Sequence, residues 1–198
     1  MSKIKICGLR RSEDIEVVNR FKPDYVGFVM APGRRQISRE QAAQLKNLLS
    51  ADITAVGVFV NEDRRLIAEL LERGIIDIAQ LHGAEPEEDV SWIKKQTGRP
   101  VIKAVSVKSR EDVLRWRGSS ADYLLLDNGA GGTGRTFDWN AIGDYNKPYF
   151  LAGGLNEDNM EEALKLNPYC VDISGGVETD GCKDAVKIKK IIEMVRRF

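Results

Sequence analysis

Short apolar runs rich in valine and isoleucine alternate with longer amphipathic stretches along the chain, and this alternation occurs eight times. Such runs are typical of parallel strands, and the amphipathic stretches between them are typical of crossover helices. The predicted strands are Lys3 to Gly8, Asp24 to Met30, Thr54 to Val60, Asp77 to Gly83, Pro100 to Val107, Asp122 to Asn128, Pro148 to Gly154 and Cys170 to Gly176. The helices are predicted to begin near Ser12, Arg39, Glu62, Pro86, Ser109, Trp139, Asn156 and Lys183.

Local sequence features mark several of these helix starts. Ser38 is followed three residues later by Gln41, which is the spacing of a capping box. Asn61 and Asn156 stand where helix N-caps are expected, and Pro86 stands where a first helical turn accepts proline.

Eight strand and helix pairs predict a closed (β/α)8 barrel, the TIM-barrel fold, as a single α/β domain over residues 1–198. The alternative is an open doubly wound sheet, which more often uses five or six strands and would not need the eighth. A chain of 198 residues is near the lower size limit of the barrel, so we expect few insertions.

The charge balance argues against partners that carry one strong sign of charge. The chain has 30 Lys and Arg against 30 Asp and Glu, which gives no electrostatic footprint for nucleic acid or an anionic membrane. No apolar stretch approaches the roughly 20 residues of a membrane-spanning helix. We expect a cytoplasmic protein that acts on a small molecule, either as a monomer or as a homodimer.

The cysteine and histidine content gives no sign of a disulfide framework or a structural metal site. Cys7, Cys170 and Cys182 are odd in number and far apart, and there is one histidine. We therefore expect neither metal nor cofactor, and we expect a thiol to be available for chemistry.

Catalytic groups of a (β/α)8 barrel gather at the carboxyl ends of the strands. Glycine-rich segments follow the seventh and eighth predicted strands, where barrels commonly bind phosphate through backbone N–H groups. The predicted phosphate-binding residues are Gly153, Gly154, Ser174, Gly175 and Gly176, with the Ser174 hydroxyl as an additional donor. The alternative is that these glycines only form tight turns.

Cys7 and Asp127 end the first and sixth predicted strands and form a candidate proton-transfer pair. A thiolate base and a carboxylic acid can move protons between carbon and oxygen without a metal or cofactor. This role requires a thiol that ionises more readily than usual and a carboxyl that holds its proton longer. The alternatives are a buried apolar cysteine and a turn-forming aspartate.

The segment after Asp127 carries four glycines between Gly129 and Gly134. Because glycine allows tight turns and close approach, and because Phe137 and Trp139 can anchor the far end, we predict a loop that covers the ligand. The alternative is a solvated surface linker.

Two further residues at the strand ends support narrower predictions. His82 could shuttle protons near neutral pH, but a hydrogen-bonded structural role is favoured, so it is left out of the catalytic set. Lys5 shares a strand face with Cys7, and Asp172 shares one with Ser174. Because the first and eighth strands meet when a barrel closes, we predict that Lys5 and Asp172 pair inside it.

An ordered set of motifs resembles the phosphoribosylanthranilate isomerase family of tryptophan biosynthesis. The set consists of Lys5-Ile6-Cys7-Gly8-Leu9, Gln80-Leu81-His82-Gly83, Leu126-Asp127 with Gly132-Thr133-Gly134 and Phe137-Asp138-Trp139, Ala152-Gly153-Gly154-Leu155, and Val171-Asp172-Ile173-Ser174-Gly175-Gly176-Val177-Glu178. Each motif is weak by itself, whereas the complete set in this order is specific.

The resemblance implies an Amadori rearrangement of N-(5-phosphoribosyl)anthranilate to 1-(2-carboxyphenylamino)-1-deoxyribulose 5-phosphate. It implies that Asp127 is the general acid that protonates the ring oxygen and that Cys7 is the general base that removes the proton from C2. It also implies that Arg35, rather than its neighbour Arg34, faces the anthranilate carboxylate, for which a guanidinium is well suited.

The chain departs from the family pattern at two positions. Gly175 replaces a serine that the family more usually has after the eighth strand, and Gly33 replaces a serine that often precedes the basic pair. The competing functions are a ribose-phosphate isomerase of histidine biosynthesis, which would have an aspartate in place of Cys7, and a non-catalytic phosphosugar-binding barrel.

Overall fold

A computed structural model, described here for residues 1–129 and 136–198, contains a closed barrel of eight parallel strands. Each strand pairs with the next along the chain, and the eighth pairs with the first. The strands are β1 Lys3–Cys7, β2 Tyr25–Val29, β3 Thr54–Phe59, β4 Ile78–Leu81, β5 Val101–Ser106, β6 Tyr123–Asp127, β7 Tyr149–Leu151 and β8 Cys170–Ile173. The barrel prediction is confirmed, and the open sheet is wrong.

All eight predicted strands are present, each shorter than predicted by one or more residues. The largest differences at the carboxyl ends are at β7 and β8, where the predicted strands extended into glycine-rich segments that leave the sheet. The predicted phosphate-binding residues therefore lie in loops rather than in the strands.

Helices cover the outside of the barrel. They are α1 Ser12–Phe21, α2 Arg39–Leu48, α3 Arg64–Glu72, α4 Glu87–Thr97, α5 Arg110–Arg115, α6 Met160–Lys165 and α7 Ala185–Arg197. A 3₁₀ turn at Trp139–Ile142 stands where the sequence predicted a full helix, and it ends at Gly143, whose φ is +58°. A left-handed residue at this point stops the turn before a helix can develop.

The predicted caps are partly correct. The hydroxyl of Ser38 accepts a hydrogen bond from the backbone N–H of Gln41, as expected, and Pro86 directly precedes α4. Asn61 and Asn156 are not N-caps, because those positions are taken by Asp63 and Asn159.

A small antiparallel hairpin follows β8 and was not predicted. It pairs β9 Glu178–Thr179 with β10 Cys182–Lys183, and it follows a 3₁₀ turn at Gly175–Val177. The hairpin places Glu178 and Lys183 beside the mouth of the barrel, where they join the site described below.

The apolar core has two parts that follow from the alternation of side chains along the strands. One cluster lies between the sheet and the helices, and a smaller cluster fills the barrel itself with Tyr25, Val56, Ile102, Leu125 and Phe150 among others. Among the described residues, no helix is both long enough and apolar enough to span a bilayer.

Candidate active site

A cavity of about 690 Å³ opens at the carboxyl ends of the strands. Its walls come from seven of the eight strands or from the loops that follow them. They include, together with His82, all the catalytic, carboxylate-binding and phosphate-binding residues predicted from the sequence: Cys7, Arg35, Asp127, Gly153, Gly154, Ser174, Gly175 and Gly176. The candidate catalytic and phosphate-binding residues therefore share one enclosed space.

Cys7 ends β1 on the wall of this cavity as a free thiol that is only 8% exposed. A Cβ built on Gly27, its partner on β2, would lie 2.5 Å from the Cys7 sulfur. The absence of a side chain at Gly27 therefore leaves space for the thiol. Burial raises the pKa of Cys7, and the nearby ammonium of Lys5 offsets part of this effect.

Lys5 and Asp172 form the ion pair that the sequence predicted. The Lys5 ammonium donates to Asp172 Oδ2 at 2.8 Å, and Lys5 is completely buried. The two residues are register partners on β1 and β8, at the seam where the barrel closes. Asp172 also lines the cavity, as Cys7 does.

Asp127 ends β6 and meets a ring nitrogen of His82. The distance between His82 Nε2 and Asp127 Oδ2 is 3.4 Å, and the amide of Gln80 lies 2.8 Å from His82 Nδ1. Gln80 donates to Nδ1, so the ring carries its proton on Nε2, toward Asp127. Burial alone would raise the pKa of Asp127, but His82 and the backbone N–H groups of Asn128 and Gly129 together outweigh it and lower the pKa.

Both pKa shifts run against the roles that the sequence suggested. The Cys7 thiol holds its proton longer than usual, and the Asp127 carboxyl loses its proton more readily than usual. The causes differ, because burial disfavours the charged form of the thiol, whereas His82 and neighbouring backbone N–H groups favour the charged form of the carboxyl.

The loops after β7 and β8 face each other across a narrow gap that only glycine fits. A Cβ on Gly153 would lie 2.8 Å from Asp127 Oδ1, and a Cβ on Gly176 would lie 2.2 Å from the carbonyl oxygen of Leu155. Gly153 and Gly154 also adopt positive φ values of +84° and +68°. These loops therefore bring backbone close to backbone and keep side chains out of this part of the cavity.

Backbone N–H groups in these loops are open to a ligand. Within the described residues, the N–H groups of Gly154, Gly175 and Gly176 donate to no other backbone group. The Ser174 hydroxyl, which we expected to be a free donor, donates instead to the carbonyl oxygen of Cys7 at 2.9 Å. This serine therefore connects the end of the eighth strand to the first.

Arg35 lies at the rim of the cavity, tied to a carboxylate. Its guanidinium forms two hydrogen bonds with Glu178, at 2.6 and 2.9 Å. Arg34 and Lys183 pair with the same carboxylate, at 2.6 and 2.9 Å. Burial would raise the pKa of Glu178, but these cations lower it to about 2.

Glu178, Lys183 and Gln80 had no predicted role. Glu178 lies inside one of the family motifs, but its two arginine partners are 144 and 143 residues away along the chain, and no local pattern connects them to it. His82 directly follows β4 and is two residues after Gln80, so strand periodicity alone could have placed both on the cavity face.

Three buried acceptor oxygens in this cavity lack partners. They are Gln80 Oε1, Asp127 Oδ1 and Asp172 Oδ1, each without a hydrogen bond to any other group in the part of the chain described. Buried acceptors are normally satisfied, so these oxygens suit a ligand that supplies hydroxyl or N–H donors.

The predicted loop over the ligand, with Gly131, Gly132 and Gly134, lies outside the described residues, while Phe137 and Trp139 at its far end pack against the outer core. Across residues 1–129 and 136–198, no group of three or more His, Cys, Asp or Glu is arranged to hold a metal ion.

Comparisons with known proteins point in one direction. A family model described as N-(5'phosphoribosyl)anthranilate (PRA) isomerase matches residues 4–194. A relative from Endomicrobium trichonymphae, named N-(5'-phosphoribosyl)anthranilate isomerase, is 47% identical over 201 residues that cover 99% of this chain and 99% of the relative.

Two similar solved structures carry the same kind of name, and each is 35% identical over 100% of both chains. One, with a TM-score of 0.87, is a phosphoribosyl anthranilate isomerase in complex with reduced 1-(o-carboxyphenylamino)-1-deoxyribulose 5-phosphate. The other, with a TM-score of 0.86, shows monomers of the dimeric phosphoribosylanthranilate isomerase from Thermotoga maritima.

Proposed function

The chain belongs to the N-(5'-phosphoribosyl)anthranilate isomerase family, and from this membership we propose that Cys7 and Asp127 are the base and the acid of its reaction. The protein is an isomerase of tryptophan biosynthesis that acts on N-(5'-phosphoribosyl)anthranilate. The observation that carries the proposal is that the two residues end β1 and β6 on the wall of one cavity, beside the glycine-rich loops that follow β7 and β8.

Asp127 acts first, as the general acid. Its carboxyl gives a proton to the furanose ring oxygen while the bond between that oxygen and C1 breaks. The anilino nitrogen supplies the electron pair for the new C1–N double bond, and the product of this step is a protonated Schiff base. Such proton transfer requires a carboxyl that faces the cavity, as Asp127 does.

Cys7 acts second, as the general base. Its thiolate takes the proton from C2, and the electrons of the C–H bond form a C1–C2 double bond as the Schiff base becomes an enolamine. The enol then loses its hydroxyl proton while C1 gains one, which gives the ketone 1-(2-carboxyphenylamino)-1-deoxyribulose 5-phosphate. Reactant and product are isomers, so no electrons are exchanged with a cofactor.

The phosphate of the substrate is assigned to the loops after β7 and β8. Open N–H groups at Gly154, Gly175 and Gly176 support this placement, as does the lack of side chains there. Gly153 keeps these loops next to Asp127, and the Ser174 hydroxyl can exchange its bond to Cys7 for one to phosphate.

The anthranilate carboxylate is assigned to Arg35. The guanidinium is 16% exposed at the rim of the cavity and already holds a carboxylate in a two-point contact, so its geometry suits a planar anion. The substrate carboxylate would meet the remaining N–H donors of Arg35, while Glu178 fixes the orientation of the guanidinium.

The unpaired oxygens of Gln80, Asp127 and Asp172 support a sugar as the reacting part of the ligand. A ribose carries hydroxyl donors at neighbouring carbons, and three acceptors on one cavity wall can receive them. We further propose that residues 1–198 form one isomerase domain, in agreement with the family match over 4–194. The proposal places the enzyme in the cytoplasm, where its three free thiols stay reduced.

The test of the acid and base is the loss of anthranilate fluorescence as substrate is consumed. Cys7→Ser and Asp127→Asn should each lower kcat/KM by roughly 100-fold or more, because each removes one proton-transfer group. Unchanged turnover in both variants would overturn the assignment.

Two matched controls separate chemistry from general damage. Cys182→Ser removes a thiol on the hairpin that does not line the cavity, and Asp52→Asn removes an exposed carboxylate paired only with Lys22. Both should retain wild-type kcat/KM. Loss of activity in these controls would mean that the first two variants report folding rather than catalysis.

A further inference from the structure

The Lys5 and Asp172 ion pair lies where it can act on Cys7. Lys5 stands two residues before Cys7 on β1, so the two side chains share the inner face of the barrel, and the Lys5 ammonium favours the thiolate of Cys7 by its charge. Asp172 holds the ammonium from the neighbouring strand at 2.8 Å. The buried Lys5 ammonium therefore interacts with both the Asp172 carboxylate and the Cys7 thiol.

Four charged groups face Cys7 from the surrounding elements. Lys5 lies on the same strand, Asp172 on β8, Lys183 on the hairpin and Arg35 after β2. The position beside Cys7 on β2 is Gly27, which carries no charge. Lys183 and Arg35 share a single carboxylate, Glu178, at 2.9 and 2.6 Å, so they remain cationic in any variant of Lys5 or Asp172. Lys5 differs from them because it has a carboxylate of its own, Asp172, and lies on the same strand face as the thiol.

Asp172 has an incomplete set of partners, which is unusual for a buried carboxylate. Its Oδ2 receives the Lys5 ammonium, whereas its Oδ1 has no partner among the described residues. A carboxylate with a single strong donor holds that donor firmly, and it places a negative charge close to the sulfur. Asp172 thus competes with a thiolate for the same ammonium.

We propose that Lys5 and Asp172 are positioning residues with opposite effects on Cys7: the Lys5 ammonium stabilises the thiolate, and the Asp172 carboxylate opposes it. The inference rests on the proposed function, in which the Cys7 thiolate removes the C2 proton. The thiol proton leaves to solvent in the cavity, and Lys5 then shares its N–H donors between the carboxylate and the sulfur.

The test is a pH titration of the thiol in the ligand-free enzyme, followed by the ultraviolet absorbance of the thiolate. Each variant is measured against the same variant carrying Cys7→Ser, so that tyrosines and the other two cysteines cancel. Lys5→Met should raise the midpoint by about one pH unit or more, and Asp172→Asn should lower it. An unchanged or opposite shift in either variant overturns the proposal for that residue.

Removing Lys5 alone leaves a buried carboxylate without a partner, so that variant can fail to fold. The comparison of Asp172→Asn with the double variant Lys5→Met/Asp172→Asn avoids this problem, since neither contains the carboxylate. The midpoint should be higher in the double variant, and equal midpoints would overturn the role of Lys5.

Lys103→Met is the matched control, because Lys103 is equally buried and ion-paired but its partner is Glu85, away from the thiol. Its midpoint should equal that of the wild type, and a shift as large as that of Lys5→Met would overturn the specificity of the effect.

Activity separates this inference from the proposed function. If the midpoint moves as expected and kcat/KM changes with it, both stand. If the midpoint moves but kcat/KM and its pH profile stay the same, the electrostatic inference stands and the assignment of Cys7 as the base fails.

Discussion

At the scale of single residues, the charge states of Cys7 and Asp127 limit how fast the proposed reaction can run. The pKa of Asp127 is lowered and that of Cys7 is raised, so the productive state, with a protonated acid and an ionised base, is a minor one at every pH. Its share is constant between the two pKa values and falls tenfold for each unit that separates them. The two residues are therefore best understood as one coupled system.

His82 is the residue whose removal should change this balance most simply. His82→Gln removes the imidazole that favours the Asp127 carboxylate, so the pKa of Asp127 should rise by about one unit. A profile of kcat/KM against pH should then show a higher plateau, about tenfold, and an acidic limb shifted upward. If kcat/KM on the plateau is lower than in the wild type and the acidic limb of the profile does not move, His82 acts by holding Asp127 in place.

The element that the sequence left out, the β9 and β10 hairpin, is held by Glu178. This carboxylate joins two arginines that follow β2 to a lysine of the hairpin, so one side chain connects distant parts of the rim. Arg35 keeps its position at the cavity only while this contact is made.

Glu178→Gln should lower the free energy of unfolding by about 3 kcal/mol at pH 7, because it leaves cations without their counter-charge. The pKa of Glu178 is lowered to about 2 from 4.5, so its stabilisation is fully present above pH 4.5 and is lost as the pH falls toward 2. Urea unfolding of both proteins across this range measures the difference. If the difference in the free energy of unfolding between the two proteins does not become smaller as the pH falls toward 2, the ion-pair explanation is contradicted.

The contact between the loops after β7 and β8 gives a second prediction for an element. Gly176→Ala should lower the free energy of unfolding by about 2 kcal/mol or more, because the new Cβ would lie 2.2 Å from the Leu155 carbonyl oxygen. It should also raise KM, since the new methyl group would force apart the loops to which we assign the substrate phosphate. Gly118→Ala is the control, as a Cβ there meets nothing within 4 Å, and its thermal unfolding midpoint should match that of the wild type.

Elements that depend on the local sequence pattern could be predicted. Features that depend on contacts between residues far apart in the chain could not. The apolar runs located all eight strands, and the strand ends located Cys7 and Asp127. Asn61 looked like an N-cap, but it adopts a φ of +53° and accepts from the N–H of Ala84 in the loop after the neighbouring strand, so Asp63 caps the helix. The contacts of Glu178 and His82 likewise depend on the closed barrel, which no sequence window contains.

At the scale of the whole molecule, the barrel closes where the first strand meets the last. Four register pairs join β1 to β8, and the ion pair between Lys5 and Asp172 crosses this seam inside the barrel. The Ser174 hydroxyl crosses it again to the Cys7 carbonyl. The groups that close the fold are therefore the same groups that surround the proposed base.

Lys5→Met should lower the free energy of unfolding by about 3–5 kcal/mol, because Asp172 would remain buried without its cation. The double variant Lys5→Met/Asp172→Asn should lose less of the free energy of unfolding than Lys5→Met does, since no uncompensated charge remains. The pKa of Lys5 is raised by the pair, so this stabilisation is fully present below pH 10.5 and declines as the pH rises through the folded-state value. Urea unfolding of the three proteins at neutral pH measures the coupling. A double variant less stable than Lys5→Met would show that side-chain packing, rather than the ion pair, stabilises the contact between β1 and β8.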